Sequence, residues 1–265
     1  MVRAAKRHPV LIYFVLAAAW FWASLALDRV KGLHFWAPLV GALAPAVSAI
    51  FVTAITAGEA AVRQLGRKLW QWQVGWRWYL AALGIPLAEA LLAVSLAQLG
   101  GVFQVRRIDM VMLRASMPAL WVTFVFAAAE ELGWRGFALP ELLRHNGAIK
   151  ATLIVGGMHA LWHWPLILLP RMWLSDIAVL PWTISVLAEA FVFTWIIRGT
   201  GGSVMLAALF HGMSNIAMVF YNGIQPNWMP LVKCGVTVAA TVCLLLATGP
   251  SLRWQTHKRS QGASP

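Results

Sequence analysis

Residues 126–143, FAAAEELGWRGFALPELL, set Glu130, Glu131 and Arg135 in a run that otherwise has the composition of a buried helix. Two more polar sets follow: His159 and His163 in HALWHWP, and His211 and Asn215 in HGMSN. On a helix, Glu131 and Arg135 at four-residue spacing meet with the acid on the N-terminal side, the favourable order, and can neutralise each other. Glu130 is turned from Glu131 by about 100° and gains no such partner from its own helix. His159 and His163 lie one turn apart just before Pro165, and His211 and Asn215 lie one turn apart on another segment. One glutamate, one or two histidines and an asparagine brought together have two chemical uses. A carboxylate and an imidazole can hold and deprotonate a water while a second histidine and an amide donate to a developing oxyanion. The same groups, Glu130, His163 and His211, could instead ligate a divalent metal such as zinc with one position left for water. No HExxH occurs, so a conventional zincin site is not expected.

Plainer readings apply to each of these residues. Glu131 with Arg135 could simply stitch helices together, and a lone intramembrane histidine often serves only as an interhelical hydrogen-bond partner. Glu89 and Glu189 have no local motif and read as mostly structural, with the option of lining a water-filled entry. Lys233, near the end of an apolar run, is expected to snorkel to the interface. The combination of Glu130, His163, His211 and Asn215 resists the plain reading, because each unpaired polar group is costly in lipid.

The elements that must position these side chains are membrane helices. The chain has 265 residues, of which 60% are hydrophobic and 11% charged, with a mean hydropathy of +0.71. Such a composition lies well outside the soluble globular range. Apolar runs separated by polar, Gly and Pro punctuation predict eight spans, at about 10–27, 36–57, 78–100, 117–138, 151–169, 177–197, 204–221 and 229–248. The fold class is therefore an all-α integral membrane bundle in one multi-span domain, 1–265, without internal repeats. The N-terminal run is too long and bulky for a signal peptide and reads as a retained first span.

A net charge of +12 invites a nucleic-acid reading, but the basic residues sit between apolar runs, where they face lipid headgroups. With eight spans, fourteen Lys and Arg residues fall on the side of the termini and seven on the other, which predicts cytoplasmic termini. The connection 59–78 reads either as an amphipathic helix lying in the interface or as an ordinary basic loop. Cys234 and Cys243 have no ligand spacing and read as packing residues.

Glu130-Glu131-Leu132-Gly133-Trp134-Arg135 resembles the EExxxR motif of the CPBP family, the type II CAAX prenyl endopeptidases and bacteriocin-processing or self-immunity (Abi) proteins. Trp162-His163-Trp164-Pro165 looks like the WHxP form of its second motif, and Gly201-Gly202-Ser203 through His211 to Asn215 looks like its third, HxxxN. The resemblance covers about 117–221, the expected catalytic core. It implies an intramembrane hydrolase of about eight helices in which Glu130 activates water with His163, Glu131 and Arg135 brace it, and His211 with Asn215 stabilises the oxyanion. The family has been discussed both as glutamate proteases and as metalloproteases, so a metal remains an open expectation. The usual second motif is FxxxH, whereas His159 stands four before His163 here; His159 is the rival for that role, or a supporting or metal-binding residue.

The reading is an endopeptidase acting on a membrane protein, membrane-associated peptide or lipid-modified substrate near the cytoplasmic face of a bacterial inner membrane, with no nucleic-acid partner. Two other classes compete: a non-catalytic membrane immunity or scaffold protein, and a proton-coupled transporter, since buried Glu and His chains also relay protons. The absence of an inverted repeat and of matched broken spans in the sequence disfavours transport.

Overall fold

A computed structural model describes residues 2–27, 36–102, 110–169, 177–221 and 227–253, and no strand occurs among them. The helices are α1 (Val2–Arg7), α2 (Pro9–Leu27), α3 (Trp36–Ala42), α4 (Ala44–Ala57), α5 (Glu59–Arg67), α6 (Trp76–Leu99), α7 (Met110–Glu131), α8 (Leu139–Leu143), α9 (Ala148–Leu168), α10 (Val179–Gly199), α11 (Val204–Tyr221) and α12 (Met229–Thr248). A single 3₁₀ turn, Lys68–Trp70, follows α5, and a π-helical segment, Leu132–Ala138, joins α7 to α8.

Among the described residues five helices, α2, α6, α9, α10 and α12, are long and apolar enough to cross a membrane, and α4 and residues 204–218 of α11 are shorter apolar helices. The chain is an integral membrane protein. One expected span is corrected: 36–57 is two helices, broken at Leu43. Pro45 sits in the first turn of α4. It has no N–H to continue the preceding helix, and its ring would press on the carbonyl of Gly41. The expected fourth span also differs. α7 begins at Met110, and α-helical geometry ends at Glu131, inside the first motif.

Apolar side chains face outward as well as inward, and charge is carried inside. Leu11, Leu80 and Leu246 are exposed, as lipid-facing residues are, while Glu131 and Arg135 are buried at 0% and 2% exposure. Small residues and hydroxyls then hold the helices together, as expected where the solvent is itself apolar. Thr152 Oγ1 of α9 donates to Thr194 Oγ1 of α10 at 2.7 Å, and Thr241 Oγ1 of α12 donates to the Ala188 carbonyl of α10 at 2.9 Å. α9 and α10 cross so closely that a Cβ on Gly156 would lie 2.9 Å from Ala190 Cβ. α11 packs on α6 and α7, and α2 packs on α4 and α9.

The connection after α4 folds as an amphipathic helix, α5, with Leu65 buried beneath it, followed by exposed Trp70, Trp72 and Trp76. Basic residues beside tryptophans are the composition of a membrane–water boundary. Lys6, Lys68 and Arg144, from the N-terminus and from the second and fourth connections, converge on one end of the bundle. Arg29, Lys31, Arg106, Arg107, Arg171, Lys258 and Arg259, which enter the charge count, lie outside the described residues.

Lys233 is a further correction. Its Nζ turns inward, 3.4 Å from Glu189 Oε1 and 3.7 Å from Met218 Sδ, instead of reaching the interface. The attraction of a half-buried carboxylate outweighs the snorkelling expected of a residue near a helix end. Cys234 is half-buried and Cys243 exposed, both as free thiols.

Candidate active site

The first motif is built where a helix changes its winding. Glu131 is the last α-helical residue of α7, and the following turn is wide enough that the Leu139 N–H reaches back five residues to the Trp134 carbonyl. Such π segments occur frequently at functional sites. The widening places large groups on the inside of the bundle: Trp134 and Arg135 are buried at 0% and 2%. Gly133 is the small residue that permits it, since a Cβ there would collide with the Tyr13 hydroxyl and come within 2.7 Å of Pro45. Across the segment, Lys68 Nζ donates to the Gly136 carbonyl at 2.6 Å.

Arg135 Nη1 donates to Glu131 Oε1 at 3.0 Å, the helical pair expected from the spacing, and its guanidinium lies 3.7 Å above the Phe193 ring of α10. The same Glu131 oxygen accepts from His211 Nδ1 of α11 at 2.8 Å. His211 is thus tied to Glu131, with its Nε2 left outside that contact. Glu131 Oε2 is buried without a hydrogen-bond partner among the described residues.

Glu130 finds its partner on α9. Its Oε2 lies 3.3 Å from His159 Nε2, and one donor atom each from Glu130, His159 and His163 falls within 4.8 Å of the others. The two histidines differ in the proton they carry. His159 Nδ1 faces Arg135 Nη1 at 3.5 Å. A guanidinium has only donors, so this nitrogen accepts and Nε2 carries the hydrogen offered to Glu130. His163 Nδ1 faces the His159 carbonyl at 3.1 Å and must donate, which leaves the lone pair on Nε2. His159 therefore orients the carboxylate, and His163 presents the free base.

The donor types Glu, His and His suit zinc. The tautomer does not: a metal on His159 Nε2 would put the proton on Nδ1, against the guanidinium of Arg135. His211, expected in a ligand set with Glu130 and His163, is instead engaged by Glu131.

The second-motif tryptophan fixes α9. Trp162 Nε1 donates to the Ala17 carbonyl at 3.1 Å, its ring stacks on Phe21 at 3.9 Å, and Trp22 Nε1 donates to the Trp162 carbonyl at 3.1 Å. His163 is consequently held beside the rings of Trp162 and Trp182, at 4.6 and 5.5 Å between centroids. The Gly-Gly-Ser of the third motif is a turn: Gly201 and Gly202 have φ of +69° and +102°, conformations that favour glycine. Ser203 then caps α11, its Oγ accepting from Leu206 N at 3.3 Å and donating to the Gln71 carbonyl at 2.5 Å. This anchors the start of the helix that carries His211.

Asn215, one turn beyond His211, is exposed and stands apart from the hydrogen-bonded set. Three contributors have no signal in the sequence. Phe193 beneath Arg135, Tyr13 over Gly133 and Lys68 on Gly136 all act from distant segments, and only the small size of Gly133 hints that something must approach there.

Residues 113–217 match the family described as type II CAAX prenyl endopeptidase Rce1-like. A curated relative, CAAX prenyl protease 2 of Methanococcus maripaludis, is 31% identical over 106 residues. That stretch is 38% of this chain and 39% of the relative's length. The family match, residues 113–217, contains all three polar sets.

Proposed function

Since residues 113–217 match the Rce1-like family of type II CAAX prenyl endopeptidases, we propose that the protein is an intramembrane endopeptidase. It hydrolyses a peptide bond of a membrane-associated or lipid-modified substrate, the prenylated CAAX class being the first to test. The observation that carries the reading is the buried Glu130 carboxylate gathered with His159 and His163 from another helix.

In this mechanism a water sits between the Glu130 carboxylate and the lone pair of His163 Nε2. Glu130 takes its proton as the oxygen attacks the scissile carbonyl, while the hydrogen bond from His159 holds the carboxylate in position. Glu131 and Arg135 brace the helix end and fix His211 through Glu131 Oε1. His211, carrying a proton on each ring nitrogen with Nδ1 on Glu131, donates from Nε2 to the oxyanion, joined by Asn215 turned inward when substrate binds. The proton held by Glu130 then passes to the leaving amine. A divalent metal at Glu130, His159 and His163 would supply Lewis-acid activation of water, but the Arg135 contact opposes it, and no step is assigned to it. The basic residues gathered with the exposed tryptophans at one end of the bundle support an opening toward the cytoplasmic side.

The test is cleavage of a prenylated CAAX peptide and of an unmodified membrane-anchored peptide by the purified chain in lipid. Glu130→Gln should lower turnover by at least about a hundredfold while leaving folding intact. Undiminished turnover would remove Glu130 as the base. Cleavage of neither peptide by a folded wild type would remove these substrate classes.

A further inference from the structure

Outside the candidate active site, at the end of the bundle where α1, α4, α5 and α8 meet, lies a cavity of about 350 Å³. Its wall carries three cations, Lys6, Lys68 and Arg144, against one carboxylate, Glu141. Glu141 is already committed to Arg144, Oε2 to Nη1 at 3.0 Å, so the lining keeps a surplus of positive charge. Lys68 is held below its usual lysine pKa by burial and then by the nearby Arg144, a strain on its charge that an incoming anion would relieve.

Independently, Thr53 lines the same cavity at 7% exposure, and its Oγ1 is buried without a hydrogen-bond partner among the described residues. A buried hydroxyl is ordinarily paired, so the orphan points to a ligand atom that completes it. Gln64 adds an exposed amide to the rim. Ammonium, guanidinium, hydroxyl and amide donors around a half-open cavity are the recognition set for phosphate oxygens. The exposed Trp70 and Trp72 on the same connection set the cavity at headgroup level.

We propose that this cavity binds a phosphate group at the membrane surface, held by Lys6, Lys68, Arg144 and the Thr53 hydroxyl. The phosphate comes either from an anionic lipid headgroup or from solution, and the site is separate from the residues that handle peptide. Its position is not neutral for them, because Lys68 also donates to the Gly136 carbonyl of the π segment that carries Arg135.

The experiment measures binding to the purified full chain in neutral detergent, by thermal midpoint and by native mass spectrometry. The probes are short-chain phosphatidylglycerol, short-chain phosphatidylcholine and inorganic phosphate. Lys6→Gln/Arg144→Gln changes two exposed side chains that support no core contact, and binding should weaken roughly tenfold. Thr53→Val keeps the shape, leaves the empty protein as stable or more so, and should also weaken binding. A phosphatidylglycerol response lost in both variants, without a phosphate response, assigns a lipid source. A phosphate response lost in both assigns a free anion. No response to either, or a response that persists in both variants, overturns the proposal.

Discussion

Replacing Arg135 with methionine isolates what its charge does, because methionine has similar length and can still cover Phe193. The Arg135 and Glu131 side chains are 1% and 0% exposed, so nothing screens the carboxylate once its partner is gone. Glu131 Oε2 already lacks a hydrogen-bond partner, leaving only His211 on Oε1. Exposed ion pairs are worth about 0.2–1 kcal/mol, whereas breaking a buried one by removing one partner costs about 3–5 kcal/mol. Arg135→Met should therefore cost about 3–5 kcal/mol, or roughly two to four orders of magnitude in the folding equilibrium. Adding Glu131→Gln, which removes the stranded charge and still accepts from His211, should recover most of that loss. The assay is equilibrium unfolding in mixed micelles for wild type, both single variants and the double variant. A single-variant loss below about 1 kcal/mol, or a double variant as unstable as the sum of the singles, would refute the reasoning.

Three further outcomes are expected. His163→Ala should abolish turnover with little change in metal content, while His159→Gln, which keeps a donor toward Glu130, should retain a measurable fraction; equal losses in both would remove the distinction between free base and orienting group. Gly133→Ala should cost about 1–3 kcal/mol in unfolding experiments, since its Cβ meets Tyr13 and Pro45 with little room to yield. Lys233→Met should be strongly destabilising, about 3–5 kcal/mol, because it strands Glu189 near Glu89, and adding Glu189→Gln should reverse much of it; wild-type stability in Lys233→Met would return this residue to the interface.

The apolar runs were legible because a membrane helix announces itself by length and composition alone. Of the eight expected, each falls on helical backbone, and five meet the requirements of a span among the described residues. The break at Leu43 follows from Pro45, a local signal that a hydropathy reading averages away. The inward turn of Lys233 was not legible, because its partner Glu189 is 44 positions away and neither residue has a motif. At the site, spacing sufficed for Glu131 with Arg135, which lie four apart on one continuous helical run across the end of α7. Spacing could not decide how His159 and His163 divide their work. Both lie on one face of α9, and their difference comes from Arg135 and a backbone carbonyl, which only the folded arrangement brings near them.

The wide turn at Leu132–Ala138 also sets how this protein can vary. An α-helix tolerates exchange of side chains but fixes phase, whereas a stretch wound one residue looser holds a register offset in reserve. Deleting Leu132, Gly133 or Trp134 would let the backbone rewind to ordinary pitch, with α8 and the chain beyond keeping their direction. The deleted position would instead rotate Arg135 relative to Glu131 by about 100°. Length changes between Glu131 and Arg135 would thus be read as changes in charge pairing rather than in fold, and such variants should remain helical, with Glu131 still held by His211, while Arg135 leaves its seat above Phe193.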